Sequence, residues 1–232
     1  MVVCPLNLDE LRTGAEILGF PLDGVAVERF ELLAARLYEA NAVQNLTRVP
    51  PGEFVERHAL ESLHPLWALG GKAEGPVVDV GCGAGFPGLP VKIVRPGLDI
   101  TLNDSHGKAL VFVQRVVEEM GLEGVTVLNA RAEEAAHDPT HRERYGLALC
   151  RAVGRVTVSA ELLAGFVRIG GYAVPHRTAH DEPMPAEALA SLGLEQEDVR
   201  SRGTLCYPLW RKKRPTPSDR PLPWHRIKRL GQ

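Results

Sequence analysis

The run Val77-Val78-Asp79-Val80 passes directly into Gly81-Cys82-Gly83-Ala84-Gly85-Phe86-Pro87-Gly88. A short apolar run of this kind reads as a buried strand, and four glycines in the next eight positions read as a tight loop. A strand, a glycine loop and then a helix make the opening unit of a parallel α/β sheet, in which ligands bind beyond the carboxyl ends of the strands. Glycines at that point let the backbone approach a ligand closely. The chain downstream agrees. Strands are expected over Pro76–Val80, Leu98–Asn103, Val125–Leu128, Gly146–Cys150 and Gly171–Val174, alternating with helices over Gly88–Val94, Gly107–Met120 and Val156–Val167. That alternation predicts a mostly parallel, doubly wound sheet. Leu110, Val113, Val117 and Met120 trace the buried face of the second of these helices.

The first 72 residues differ in period. Leu8–Gly19, Val25–Asn41 and Phe54–Leu69 carry apolar residues at helical spacing, and Gly70-Gly71 ends the last of them. The expected organisation is a helical subdomain over 1–72, a sheet-based core over 73–210 and a basic, proline-rich arm over 211–232. Within the core, Met184–Leu192 is expected as a helix and Gly203–Leu209 as a final strand.

Charge is distributed unevenly. From Arg200 onward ten Lys or Arg stand against one acid, Asp219, so that stretch carries +9 and the net charge of −2 leaves −11 for the rest. A basic tail interleaved with Tyr207, Trp210 and Trp224 reads as a footprint for a polyanion such as RNA. No apolar run is long enough to span a membrane, and Met1–Glu10 has no secretory pattern. Cys4, Cys82, Cys150 and Cys206 are too scattered for a zinc site or a disulfide framework, so a monomeric cytoplasmic protein without metal is expected.

The loop itself admits two readings. Gly83-x-Gly85-x-x-Gly88 matches a dinucleotide fingerprint, but the first glycine should follow the strand directly, and that is Gly81. Counted from Gly81, the third glycine position is Phe86. The better fit is Asp79-Val80-Gly81-x-Gly83-x-Gly85, which resembles the first motif of class I S-adenosylmethionine-dependent methyltransferases, with their Rossmann-like fold. Asp104 ends the second strand, and Arg131-Ala132-Glu133 follows the third. An acid at the end of strand two suits a ribose diol. Taken singly, Asp79 and Asp104 could equally cap helix N-termini.

The resemblance then narrows. Asn45-Leu46-Thr47, Arg57-His58-Ala59-Leu60-Glu61-Ser62-Leu63, the long phrase Val78 to Pro90, Ile93-Val94-Arg95-Pro96, Asp104-Ser105, Gly107-Lys108 and Cys150-Arg151-Ala152-Val153 are together similar to the bacterial 16S rRNA guanine-N7 methyltransferases, also called glucose-inhibited division protein B. The resemblance implies S-adenosylmethionine as cofactor and 16S rRNA or the small ribosomal subunit as partner. It implies cofactor contacts at Asp79, Gly81, Gly83, Gly85, Phe86, Asp104, Ser105, His106, Ala132, Glu133 and Arg151. Substrate-side positions would be Asn45, His58, Arg177 and the basic run Arg211, Lys212, Lys213 and Arg214, though for His58 a hydrogen bond across the joint of helices and sheet is the favoured role. Glu61 stands where that family usually has Asp, and Pro175-His176-Arg177-Thr178 where it has a Lys-Gly phrase. No Asn/Asp-Pro-Pro-aromatic motif closes strand four and no Cys follows a Pro, which disfavours exocyclic-amine and pyrimidine-carbon acceptors. No catalytic base is named.

Overall fold

The computed structural model describes residues 6–72 and 74–230, so Cys4 lies outside the described residues. Three helices lead the chain: α1 (Leu8–Ile17), α2 (Gly24–Gln44) and α3 (Glu61–Leu69). Asn7 and Asp23 cap the first two by accepting from the Glu10 and Ala26 amides. Gly70, with φ +55°, ends α3 in the left-handed conformation, as its sequence predicts. Phe54–Leu69 is not one uniform helix, because a wide π-type turn over Val55–Leu60 precedes α3. It places His58 on the buried side.

The sheet holds β1 (Val77–Val80), β2 (Ile100–Asp104), β3 (Val125–Asn129), β4 (Tyr145–Arg151), β5 (Val167–Thr178), β6 (Leu194–Arg202) and β7 (Leu205–Lys212). The intervening helices are α4 (Gly88–Val94), α5 (Gly107–Glu119), α6 (Ala132–Ala135), α7 (Val156–Ala164) and α8 (Ala186–Ser191), with α9 (Trp224–Leu230) last. The strand order is β3-β2-β1-β4-β5-β7-β6. The first five strands are parallel, and β7 runs antiparallel to both β5 and β6. This is the doubly wound order with an antiparallel strand inserted near one edge. The order reverses at β1, so the crevice of the fold opens where the glycine loop leaves that strand.

The apolar faces account for the layers. Leu11, Phe30 and Leu37 of the leading helices share one buried cluster with Leu102, Val113 and Leu149 on one face of the sheet. Val78, Ala148, Leu163, Phe166 and Trp210 fill the other face. Leu110, Val113, Val117 and Met120 are all buried, as the α5 periodicity predicts.

Three expectations need correction. The last strand is a hairpin of two, and β6 was not foreseen. Its sequence, Leu194-Glu195-Gln196-Glu197-Asp198-Val199-Arg200-Ser201-Arg202, is charged because it forms a solvated sheet edge. The fifth strand is not confined to Gly171–Val174 but runs from Val167 to Thr178, and the helix before it ends at Ala164 rather than Val167. Its pairing with β7 passes from Ala173↔Trp210 to Arg177↔Cys206, and the missing Pro175 donor falls in that gap. Finally, residues 211–232 are not an extended arm. Arg211 and Lys212 complete β7, the segment after them is tethered at Thr216, Arg220 and the buried Pro221, and Trp224–Leu230 is helical.

Candidate functional site: the glycine loop at the sheet's switch point

The loop is held by acids on both sides. Asp79, fully buried, accepts from the Gly88 amide through Oδ2 at 2.7 Å and so caps the start of α4. A Cβ on Gly88 would strike Leu102 and come within 2.9 Å of Asp79 Oδ2, which fixes glycine there. Asp104, at the end of β2, accepts from the Gly83 amide at 2.8 Å and from the His106 amide at 2.8 Å. Asp79 thus makes the helix-start bond that a capping reading foresees, whereas Asp104 ties two loop amides and caps no helix, and both shape the loop.

Asp79 has a further property. Burial pushes its carboxyl up to about 7, opposed by the Gly88 hydrogen bond and by Arg151. A carboxyl whose folded-state pKa lies above its unfolded value near 3.8 makes the fold most favourable at low pH and loses that contribution as pH rises through about 7. Asp79→Asn keeps an oxygen for the Gly88 amide and removes the titration. The variant is expected to lose part of the decline in unfolding free energy between pH 4 and 7, read by urea denaturation across that range. An unchanged slope would mean that Asp79 is ionised throughout.

Three contiguous cavities surround the loop. The largest, about 490 Å³, lies between the loop and the leading helices and is walled by Thr47, His58, Glu61, Phe86 and Arg151. A second is reached past Asn45, Gly83, Asp104 and His106. A third, about 100 Å³, sits over the ends of β1, β2 and β3 and is lined by Gly81, Asp104, Ser105, Ala132, Glu133 and Trp224. Most of the expected cofactor residues are therefore brought together. Two are not on these walls: Asp79 lies beneath the loop, and Gly85, with φ +90°, turns the chain where a Cβ would strike Leu89.

The wall of the largest cavity is a connected polar unit. Arg151 donates to the Arg57 carbonyl at 2.8 Å and to His58 Nδ1 at 3.0 Å. Guanidinium can only donate, so His58 Nδ1 is the acceptor and the ring proton sits on Nε2. That Nε2–H donates to Thr47 Oγ1 at 2.8 Å. Burial, with Arg151 and Arg57 nearby, holds His58 down to about 3, so the ring is neutral. The ring stacks on Phe86 at 4.1 Å, and the Arg151 guanidinium lies 5.6 Å from the same Phe86 ring. His58 therefore bridges the leading helices to β4. Asn45, with φ +51°, ends α2 and turns residues 46–49 across the cavity.

Neither loop-side thiol is poised to react. Cys82 is raised well above its ordinary value by burial, with Asp79 and Asp104 adding to it, and Cys150 is raised to about 12 by burial. The carboxylate on this wall is Glu61, raised by burial and pulled back by Arg151 and Arg57. Among the described residues no group of three His, Cys, Asp or Glu is placed to hold a metal ion, and no helix is long and apolar enough to cross a membrane.

The family model described as rRNA small subunit methyltransferase G matches residues 26–202. The chain belongs to that family. Among its curated relatives, proteins named ribosomal RNA small subunit methyltransferase G come from Alkaliphilus metalliredigens, 41% identical over 163 residues that cover 70% of this chain and 68% of that one, and from Gloeobacter violaceus, 39% identical over 186 residues covering 78% and 74%. Among solved structures, a mutant of MtNAS in complex with S-adenosylmethionine superposes with a TM-score of 0.56 at 15% identity, over 88% of this chain and 77% of that one. At that identity the likeness concerns the fold, which is the class I methyltransferase fold expected from the sequence.

The family is one of S-adenosylmethionine-dependent methyltransferases, and the residues present fit that cofactor. A Cβ on Gly81 would lie 2.8 Å from Val153, so the backbone there stays bare toward the cavity. Asp104 presents a carboxylate with lone pairs beyond its backbone bonds. Glu133 uses Oε1 for Arg131 at 3.0 Å and leaves Oε2 buried with no partner, an acceptor suited to an amino group on a base.

The basic residues expected at the substrate fare differently. Arg177 is buried, donating to the Gly154 carbonyl at 2.7 Å and pairing with Asp181 at 3.0 Å. Lys212 is fully buried, bonded to the Ala164 carbonyl, Thr216 and Glu143, and is removed from any phosphate. Arg211 pairs with Glu197 at 3.5 Å and with the Tyr172 hydroxyl at 2.8 Å. Because β7 is antiparallel, it starts near the glycine loop's edge of the sheet and ends at the opposite edge. The run Arg211 to Arg214 is thereby carried away from the cavities. Exposed Arg48, Arg57 and Lys108 stand at the cavities instead. Arg57 and Lys108 stand inside the family phrases and Arg48 directly follows one, but nothing in the sequence marks them as basic contacts.

Proposed function

We propose that this protein transfers a methyl group from S-adenosylmethionine to N7 of a guanosine in 16S ribosomal RNA, acting as a monomer in the cytoplasm. The observation that carries the choice of acceptor is the wall of the largest cavity, which offers shape and polarity without an activated nucleophile. The bound cofactor supplies an electrophilic methyl on a sulfonium. A guanine N7 lone pair is already nucleophilic, so alignment and exclusion of water are the main demands on the protein. Phe86 and His58, stacked on each other, form a rigid aromatic side to the cavity beside which a base can lie. Arg151 fixes His58 from behind, and its own charge is disfavoured by burial. A neutral His58 with both ring nitrogens bonded takes no proton. Arg48 and Lys108 face outward as phosphate contacts, with Arg57 beside them paired to Glu53 at 2.9 Å, which makes RNA affinity fall with salt.

The deciding experiment is transfer from labelled S-adenosylmethionine into small ribosomal subunits taken from cells lacking this gene, with the modified nucleoside identified. Recovery as 7-methylguanosine at one site is the expected result. Glu61→Gln separates ring-nitrogen from amino-group chemistry. Removing a general base costs roughly 100-fold or more, whereas at N7 the variant should keep transfer within about threefold and leave the pH profile unchanged. A large loss, or label on another atom, sends the search to a different acceptor.

A further inference from the structure

We propose that Trp224, carried by the C-terminal helix α9, is a cofactor-binding residue whose indole closes the adenine end of the S-adenosylmethionine pocket. This rests on the cofactor reading above. The small cavity over β1, β2 and β3 is walled on its outer side by Trp224, the one lining residue that comes from the end of the chain. The Arg131 guanidinium lies 4.4 Å from the centre of its ring. Arg131 is held from the other side by Glu133 Oε1 at 3.0 Å. The indole, the cation and the carboxylate thus form one stack beside the unpartnered Glu133 Oε2. The space they bound, about 100 Å³, is that of a flat heterocycle. A π-face, a buried acceptor and, across the ribose position, the Asp104 carboxylate together select a purine that carries an amino group and a diol.

The position of α9 is secured on both sides. The Arg142 guanidinium donates to the carbonyls of Thr216, Pro217 and Arg220. Glu161 accepts from Arg220 and from the Leu222 amide at 2.7 Å, and His137 Nε2 bonds the Pro221 carbonyl at 2.9 Å. Beyond the tryptophan, Ile227 is fully buried and Thr157 Oγ1 donates to the Leu230 carbonyl at 2.9 Å. A segment anchored before and after Trp224 delivers that ring to the cavity mouth while leaving it 41% exposed. An indole serving only as core would be covered.

The test uses the full chain and S-adenosylhomocysteine, which binds without reacting. Calorimetry should show Trp224→Ala weakening binding by about tenfold, the scale of one lost aromatic contact. Trp224→Phe should stay within about threefold. Of the three tryptophans, Trp224 lines this cavity, so ligand should change the emission of the native protein and leave Trp224→Phe silent although that variant still binds. If Trp224→Ala does not fold, the Phe variant and its emission carry the test. Native protein that binds, together with Trp224→Ala that binds equally well, overturns the proposal and leaves the cofactor reading standing. Native protein that does not bind fails both. Loss of RNA affinity with unchanged ligand affinity would assign the indole to RNA and overturn the proposal as well.

Discussion

Asp104→Ala should weaken S-adenosylmethionine binding by about 100-fold, measured by calorimetry. Hydrogen bonds to a charged acceptor contribute roughly 1.5–3 kcal/mol each, and a diol lying over the end of β2 would make two. Allowing for water taking part of that role, about 2.8 kcal/mol, or two powers of ten, is expected. The same carboxylate holds the Gly83 and His106 amides, so the loop loses its seat as well. Asp104→Asn retains one oxygen and should fall between. The effect should also remove most of the rise in melting temperature that ligand gives the native protein. If Asp104→Ala binds within threefold of the native protein, the ribose is not held at β2 and the three-strand pocket must be redrawn.

Much of this pocket is legible in the chain because its signals are local. Strand, glycine loop and helix lie within eighteen consecutive residues, and Asp104 and Glu133 stand at the ends of the next two strands. Local signals do not give orientation. The basic run at Arg211 reads as an RNA contact until the direction of β7 places it at the far edge of the sheet. Strand β6 is hidden because an edge strand is charged on its exposed positions, and only its pairing with β7 makes it a strand. The Arg151–His58–Thr47 unit joins residues about a hundred positions apart; the sequence suggests a bond from His58 across the joint of helices and sheet but does not name its partners. Asp79 is the reverse case. Its place before the loop suits a cofactor contact and a helix cap alike, and the Gly88 amide bond makes the second. The prolines and charges after Lys212 read as a solvated arm, since each lacks the period of an element. Their order comes from partners elsewhere: Arg142, Glu143 and Glu161.

Those partners yield a large effect on stability. Glu161 has 3% of its side chain exposed and accepts three contacts from two donors: Arg220 Nη1 reaches both carboxylate oxygens, and the Leu222 amide reaches one. Glu161→Ala leaves an amide with no acceptor and a guanidinium with no counter-charge. Breaking a fully buried pair costs about 3–5 kcal/mol. Arg220 keeps 30% exposure and can turn to water, so about 2–3 kcal/mol is the reasonable figure, and the melting temperature should fall by roughly 5–10 °C for a chain of this size. Trypsin should then cut first after Lys213, since Pro215 protects the bond after Arg214, releasing the segment that carries Trp224. Glu161→Gln keeps an acceptor for Leu222 and should be milder on both counts. A native melting temperature and native trypsin resistance in Glu161→Ala would mean that the Arg142 contacts alone hold the tail. The composition of this segment favours the anchored state once Glu161 and Arg142 are present. Pro215, Pro217, Pro221 and Pro223 restrict the unfolded chain and reduce the entropy lost on docking. The residues that make the tail look disordered in sequence thus lower the cost of ordering it.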